Sequence, residues 1–160
     1  MAWLFPWLLF LHVLGAIVAF GPTFTFSIIG AMGGADPQHA NFATRVTHAL
    51  TTRRVLPIGI TLPITGLAMM AVVGINPLER SHWWLALGIV LYVGVYSYGF
   101  FVQRKLAERV IEITSSPPPP GASGPPPELM GLVRRIQRGG AVMGILIVTI
   151  VLLMVVKPMI

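Results

Sequence analysis

This chain of 160 residues contains four long apolar stretches, and they constrain its fold more than any other feature. A helix needs about 20 mainly apolar residues to cross the hydrocarbon core of a bilayer. The stretches come close to that length and cover residues 3–29, 55–74, 82–102 and 140–156. We therefore predict an all-α fold, a single integral membrane four-helix bundle formed by residues 1–160.

Composition supports lipid as the solvent and argues against a nucleic-acid partner. Only 10% of the residues are charged, 55% are hydrophobic and the mean hydropathy is +0.81. The net charge of +6 comes largely from short basic pairs beside the apolar stretches, where they suit lipid headgroups. No cysteine is present, which excludes disulfides and thiolate metal sites. The expected partner is the lipid bilayer, and nucleic acid is not expected.

The orientation of the bundle follows from its basic residues, because loops rich in Lys and Arg resist translocation. The first stretch has no Lys or Arg before it and is too long for a signal peptide, so we expect it to be retained. The predicted outer side carries only Arg80 and Lys157. We expect both termini outside a bacterial inner membrane, with a tryptophan belt at the outer interface formed by Trp3, Trp7, Trp83 and Trp84. The nine opposing basic residues are Arg45, Arg53, Arg54, Arg104, Lys105, Arg109, Arg134, Arg135 and Arg138.

Helices two to four are predicted to extend into the cytoplasm. Asp36 followed by Pro37 is a typical helix start, and apolar residues recur at helical spacing from there to Arg54. Similar amphipathic patterns follow Val102 and begin at Pro127. Between them, residues 115–127 form a linker rich in Pro, Gly and Ser that lacks side chains able to build a core.

His12 is the principal candidate for chemistry inside the membrane. Apart from His82 at a boundary, it is the one group in the membrane stretches that titrates near neutral pH, and such groups are costly to bury. A rise of ~1.5 Å per residue places it ~14 Å below Trp3. Small residues on the same helical face mark a helix contact, so His12 should point into the bundle.

The same counting predicts a polar layer around His12. Thr65 and Tyr92 fall ~14 Å from the outer ends of their helices, and Thr149 falls ~12 Å from its own. Helix bundles build cofactor sites from such facing groups. The predicted cofactor-binding set is therefore His12, Thr65, Tyr92 and Thr149, with His12 and Tyr92 on facing helices at one depth.

Three interpretations of this layer remain open. The polar groups either join helices, bind haem or a metal, or form a proton or solute path, although a lone histidine makes a poor relay. Haem b is the main cofactor hypothesis and copper a lesser one, because thioether and imidazole ligands suit Cu(I). The predicted metal ligands are His12, Met69 and Met70, since His82 lies ~14 Å away. His39 and His48 are expected to be solvated.

A non-catalytic function competes with the cofactor hypothesis. Gly140 and Gly144 have the spacing that allows close helix approach, which suits an accessory or scaffold subunit of a larger membrane complex, or a homo-oligomer. The chain has no nucleotide-binding loop, H-E-x-x-H motif or Ser-His-Asp arrangement. Hydrolytic catalysis is therefore not indicated, and other enzymatic activity is undecided.

Short motifs in helices one, two and four resemble a known family. They are Leu-His-Val-Leu-Gly-Ala at 11–16, Leu-Pro at 56–57 with Thr-Gly-Leu at 65–67, and Leu-Met-Val-Val-Lys-Pro at 153–158. In order and spacing they resemble the predicted bacterial integral membrane proteins called domain of unknown function family 2269. The first motif is more distantly similar to copper-resistance D and HemJ-type membrane domains, and that resemblance implies haem at His12.

Overall fold

The computed structural model describes residues 2–116 and 124–158, and the elements in these ranges are helices without strands. Four continuous helical segments are long and apolar enough to cross a membrane. We call them spans one to four: Phe5–Ala35, Ala40–Val73, Arg80–Thr114 and Pro127–Val156. The predicted all-α membrane bundle is confirmed, because each apolar stretch lies within one of these segments to within two residues.

Three of the four spans change helical geometry along their length. Span one is α1 (Phe5–Phe20), a 3-10 segment (Gly21–Thr25) and α2 (Phe26–Ala35). Span two is α3 (Ala40–Leu50), a π turn (Thr51–Val55) and α4 (Leu56–Val73). Span three contains α5 (Trp83–Tyr98), a π turn (Gly99–Gln103) and α6 (Arg104–Thr114), whereas span four is the single helix α7 (Pro127–Val156).

Proline coincides with two of these changes. Pro22 lies in the 3-10 segment, and Pro57 lies two residues after the π turn of span two. Proline has no N–H for the helical ladder, so the preceding turn must rearrange its hydrogen bonds. Pro63, in contrast, lies inside α4, where the helix continues to Val73.

The bundle is built from two close helix pairs. α1 packs along α4, where a Cβ added at Gly15 would lie 3.2 Å from Leu62 and Ala19 is completely buried. α5 packs along α7, where the tip of Met154 occupies the space beside Gly88. Small residues therefore bring the backbones of each pair together, as expected when helices associate in lipid.

The outer surface of the bundle is apolar. Ile17 is 63% exposed and Val155 is 75% exposed, while no polar or charged residue of the described ranges is buried. A soluble domain of this composition would leave a very large apolar surface in water. The exposed side chains match hydrocarbon instead.

The tryptophans of the predicted belt differ in their exposure. Trp3 is 74% exposed near the start of span one, as a residue at the membrane interface should be. Trp84 is only 7% exposed, and the Lys157 ammonium lies 5.9 Å from its ring centre. Trp84 therefore belongs to the α5–α7 contact, because the first turn of α5 packs against the end of α7.

The predicted helix extensions are present and meet one another. Span two begins at Ala40 rather than near Val55, and the Asn41 amide donates hydrogen bonds to Thr114 Oγ1 at 2.8 Å and to the Ile111 carbonyl at 3.2 Å. Arg109 joins α6 to the first turn of α7 through Glu128, 3.0 Å away. The predicted linker at 115–127 falls partly outside the described residues, which omit 117–123.

Candidate functional site

His12 of α1 faces α4, and its ring nitrogen Nδ1 lies 2.8 Å from Oγ1 of Thr65. The imidazole is half-buried between spans one and two. Gly15 and Ala19, on the same face of α1, are both buried against neighbouring helices. The prediction that His12 points into the bundle is therefore confirmed, as is its association with Thr65.

The hydrogen bonds of Thr65 indicate which nitrogen of His12 carries the proton. The Thr65 hydroxyl lies 2.9 Å from the carbonyl oxygen of Thr61, one turn earlier in the same helix. The Leu62 carbonyl lies 3.1 Å away as well, so the one proton of the hydroxyl has two backbone acceptors in its own helix. When the hydroxyl donates to either carbonyl, Oγ1 accepts a hydrogen bond from His12 Nδ1, and the lone pair of the neutral imidazole is then on Nε2.

No side-chain hydrogen bond of the described residues involves Nε2 of His12, and the Leu62 backbone also lies within hydrogen-bonding reach of the imidazole. Gly66 lies beside the ring, because a Cβ added there would be 3.5 Å from His12 Cε1. The next ring atom is Nδ1, at 3.9 Å, so Gly66 lies against the side of the imidazole that carries Nδ1. An imidazole fixed through one nitrogen and open at the other can bind a metal centre.

Tyr92 does not join His12, and the prediction that the two share one depth is wrong. The Tyr92 hydroxyl donates a 2.5 Å hydrogen bond to the carbonyl oxygen of Gly59. Its ring also makes an edge contact with Phe20, at 6.3 Å between centres. Gly59 precedes Thr65 by six residues, so Tyr92 lies ~9 Å farther along the bundle than the His12–Thr65 pair.

A stagger between helices explains this difference. The predicted depths were counted in residues from the outer end of each helix. That count assumed that Gly74, just after α4, and Trp83, at the start of α5, lie at the same level. Tyr96 repeats the observed alignment one turn later, since its hydroxyl donates to the Leu56 carbonyl at 3.1 Å. Both bonds show α5 displaced along α4 by about six residues, or ~9 Å, from the assumed alignment. Sequence does not encode such an offset.

Thr149 is likewise separate from His12. Its hydroxyl donates to the carbonyl oxygen of Ile145 in its own helix, at 2.9 Å. The contacts between span three and α7, such as Met143 beside Gly99 and Met154 beside Gly88, align Thr149 with the middle of α5. The four-residue layer thus divides into a His12–Thr65 pair and groups that bond elsewhere.

The other predicted ligands do not complete a metal site by themselves. Within the described ranges, no group of three or more His, Cys, Asp or Glu side chains could hold a metal ion. Met69 is one turn beyond Thr65 on α4, toward the outer end, and Met70 follows it. Both lie in the same helix as Thr65. Their role as ligands stays a prediction.

The remaining histidines contact groups near the ends of spans. His82 Nδ1 lies 3.1 Å from the Asn76 carbonyl oxygen. His39 is exposed and lies 2.8 Å from Asp36, whereas His48 lies 3.4 Å from Glu108. None of these three histidines contacts His12. They were likewise not among the predicted ligands near His12.

Sequence reasoning missed the residues that hold the polar side chains. Thr61 and Gly59 contribute backbone carbonyls, which have no signature in the sequence. Gly139 was also missed, although a Cβ there would lie 2.5 Å from the Tyr98 hydroxyl and 2.8 Å from Gln103 Nε2. The glycine-rich start of the fourth apolar stretch was its only available signal.

A bundle of four apolar spans, with its polar side chains directed at neighbouring helices, defines a multi-pass integral membrane protein. Residues 6–158 match the model of a family described as predicted integral membrane protein (DUF2269), and the chain belongs to that family. No curated protein and no solved structure matches the chain. The more distant similarity to copper-resistance D and HemJ-type domains stays a prediction.

Proposed function

We propose that the chain is a haem-binding module of the bacterial inner membrane, in which His12 would hold the iron of haem b. One observation carries the proposal: Thr65 holds His12 through Nδ1, and no side-chain hydrogen bond in the described part of the chain involves Nε2. Histidines that bind metals almost always donate their other ring N–H to an oxygen. Thr65 provides that oxygen.

Haem suits this arrangement better than a bare metal ion. A protein can hold haem iron through one histidine, because the porphyrin supplies the other four nitrogens. A bare ion would need several protein ligands, and no such cluster of His, Cys, Asp or Glu occurs in the described ranges. Bound haem would supply one-electron chemistry. The chain would position it through His12, with Met69 or Met70 as the proposed second ligand.

The proposal is tested by the visible spectrum of the purified protein, recorded as a reduced-minus-oxidised difference together with iron and copper analysis. We expect haem b bands in the wild type and their loss in His12→Ala. His82→Ala is the matched control and should keep the bands, because His82 contacts the Asn76 carbonyl near the end of α5. Thr65→Val should retain haem but shift its potential, since the ligand loses its hydrogen-bond partner.

Two results would contradict the proposal. One is the absence of haem from protein purified under conditions that load haem proteins of the same membrane. The other is a His12→Ala variant whose bands match those of the wild type. If the purified protein contains copper but no haem, the haem b proposal is rejected in favour of the lesser hypothesis, a Cu(I) site formed by His12 with Met69 or Met70.

A second function, an accessory or scaffold subunit, is favoured by the free face of α7. A Cβ added at Gly144 meets no atom within 4 Å, and one added at Gly140 meets only Gln103, at 3.9 Å. A partner helix or a second copy of the chain could approach closely there. Gly144→Leu should then abolish association measured by cross-linking in native membranes, whereas Gly94→Leu on another open surface should not.

The proposed orientation, with both termini outside, rests on the basic residues that flank the spans. The absence of cysteine makes it directly testable by labelling single cysteines in intact cells. Leu78→Cys, on the short connection between spans two and three, should react with an impermeant maleimide. Ser116→Cys should react only after the cells are opened, and the reverse pattern would overturn the orientation.

A further inference from the structure

A groove of about 540 Å³ runs along the bundle between span three and α7, away from His12. Gly94 and Leu146 line one end, and Arg135 and Arg138 line the other. The walls between them are almost entirely apolar, with Val102 and Met143 among the lining residues. The groove therefore joins a hydrocarbon-like channel to a cationic end.

Glycine keeps the deep end of the groove open. A Cβ added at Gly94 meets no atom within 4 Å, so a larger side chain at this position would extend into the groove. At the cationic end the Tyr98 hydroxyl lies against Gly139 and has no hydrogen-bond partner within the described residues. A polar donor is therefore available beside the two arginines.

The length of the groove corresponds to one leaflet of a bilayer. Leu146 lies 11 residues beyond Arg135 in α7, a distance of ~16 Å along the helix. The hydrocarbon core is about 30 Å thick, so half of it is ~15 Å. The arginines then lie at headgroup level when Gly94 and Leu146 lie near the bilayer centre.

The two arginines lack an acidic partner, unlike Arg109 of the neighbouring α6. Arg109 pairs with Glu112 at 2.7 Å and with Glu128 at 3.0 Å. Arg135 and Arg138 form no ion pair within residues 2–116 and 124–158. Glu128 is the nearest acid on the same face of α7, two turns before Arg135, and its carboxylate is bound by Arg109. Within the described residues, no ion pair neutralises the positive charge at the end of the groove.

We propose that this groove binds an anionic phospholipid, with its phosphate at Arg135 and Arg138 and one acyl chain extending toward Gly94. Charge complementarity selects the headgroup, because guanidinium groups bind phosphate through paired N–H donors. The apolar walls accept the acyl chain of the lipid. Because the groove is as long as one leaflet is thick, a single lipid molecule can place its phosphate at the arginines and its acyl chain near Gly94. This lipid site is independent of haem binding at His12.

The test uses the full chain in nanodiscs of equal parts phosphatidylglycerol and phosphatidylcholine, followed by native mass spectrometry of the lipids that remain bound. Wild type should retain phosphatidylglycerol in preference to phosphatidylcholine. The double variant Arg135→Gln with Arg138→Gln should lower that preference about thirtyfold, because each basic residue near an anionic headgroup contributes ~1 kcal/mol and the pair therefore ~2 kcal/mol. Arg53→Gln with Arg54→Gln removes the same charge from exposed residues outside the groove and should lower the preference clearly less.

A second variant tests the apolar part of the groove, which is proposed to bind the acyl chain, without changing the charge of the protein. Gly94→Leu should lower retention of both lipids by filling the groove, whereas Gly144→Leu, which has equal free space but does not line the groove, should not. Equal loss in the two arginine pairs would show diffuse surface attraction and overturn the site. Equal retention of the two lipids by wild type, or a Gly94→Leu variant that binds as wild type does, would also overturn it.

Discussion

The Tyr92 hydroxyl donates a 2.5 Å hydrogen bond to the carbonyl oxygen of Gly59, joining α5 to the backbone of α4. Gly59 permits this approach because it has no side chain: a Cβ there would lie 2.9 Å from the Tyr96 ring and 3.4 Å from the Tyr92 oxygen. The two tyrosine rings stack at 6.1 Å between centres. This contact sets the axial offset of span three against span two.

Tyr92→Phe should lower the stability of the bundle in detergent by roughly 0.6 kcal/mol, with about 1.7 kcal/mol as an upper bound, the range found for hydrogen bonds between membrane helices. Thr149→Val is the matched control, because the Thr149 hydroxyl bonds only within its own helix. The measurement is reversible unfolding in mixed micelles. Equal losses in the two variants would contradict a bond between spans at Tyr92.

The His12–Thr65 contact should appear as a coupling free energy. A double-mutant cycle with His12→Ala and Thr65→Ala isolates the pair, and we expect coupling of roughly 0.6 kcal/mol, again below about 1.7 kcal/mol. The same cycle between His12 and Tyr92 should give coupling near zero, because Tyr92 binds Gly59 ~9 Å away along the bundle. Strong coupling of His12 to Tyr92 would instead restore the single polar layer.

Neighbouring glycines in α2 should respond in opposite directions to alanine. A Cβ at Gly33 would lie 2.6 Å from Ala43 Cβ and 3.4 Å from the backbone of Ala40, so α2 and α3 would have to separate. We expect Gly33→Ala to cost ~1–3 kcal/mol, as overpacking does. Gly34→Ala meets no atom within 4 Å and should be neutral or stabilising by up to about 1 kcal/mol through helix propensity. Unfolding of both variants under one condition gives the comparison.

The turn between spans one and two should weaken in acid. The hydrogen bond from His39, followed by that from Gln38, holds the pKa of the Asp36 carboxyl below its ordinary value. Because the folded-state pKa is lowered, the ionised carboxylate stabilises the turn above the ordinary aspartate pKa, and this contribution is lost as pH falls through the lower folded value. NMR titration should give a depressed Asp36 pKa that rises in His39→Ala. An unchanged value would exclude His39 as the main cause.

Much of the architecture was predictable because single residues and short patterns determine it. Apolar length predicted each span, and helical spacing predicted the extensions on which Asn41 and Arg109 make their contacts. The direction of His12 followed from the small residues Gly15 and Ala19, which lie on its face of α1. In each case the physical cause is local: the periodicity of a helix and the cost of placing a polar group in lipid.

The candidate site was predictable only for α1 and α4, whose relative axial position agrees with the residue count from their outer ends. Thr65 meets His12, but Tyr92 was placed at the wrong level because an offset of about 9 Å between α4 and α5 depends on how their surfaces interlock. The lipid groove was not foreseen at all, since it requires Gly94 of one helix and Arg135 of another to lie along the same channel.

The sequence by itself determined that this chain forms four membrane-spanning helices, because hydrophobicity acts on each segment independently. Only the tertiary structure decided which polar groups meet. Backbone carbonyls such as those of Gly59 and Thr61 carry no identity in the sequence, yet they bind Tyr92 and Thr65. Partner choice depends on the rotation and axial shift of packed helices, and those arise from contacts between residues far apart in the chain.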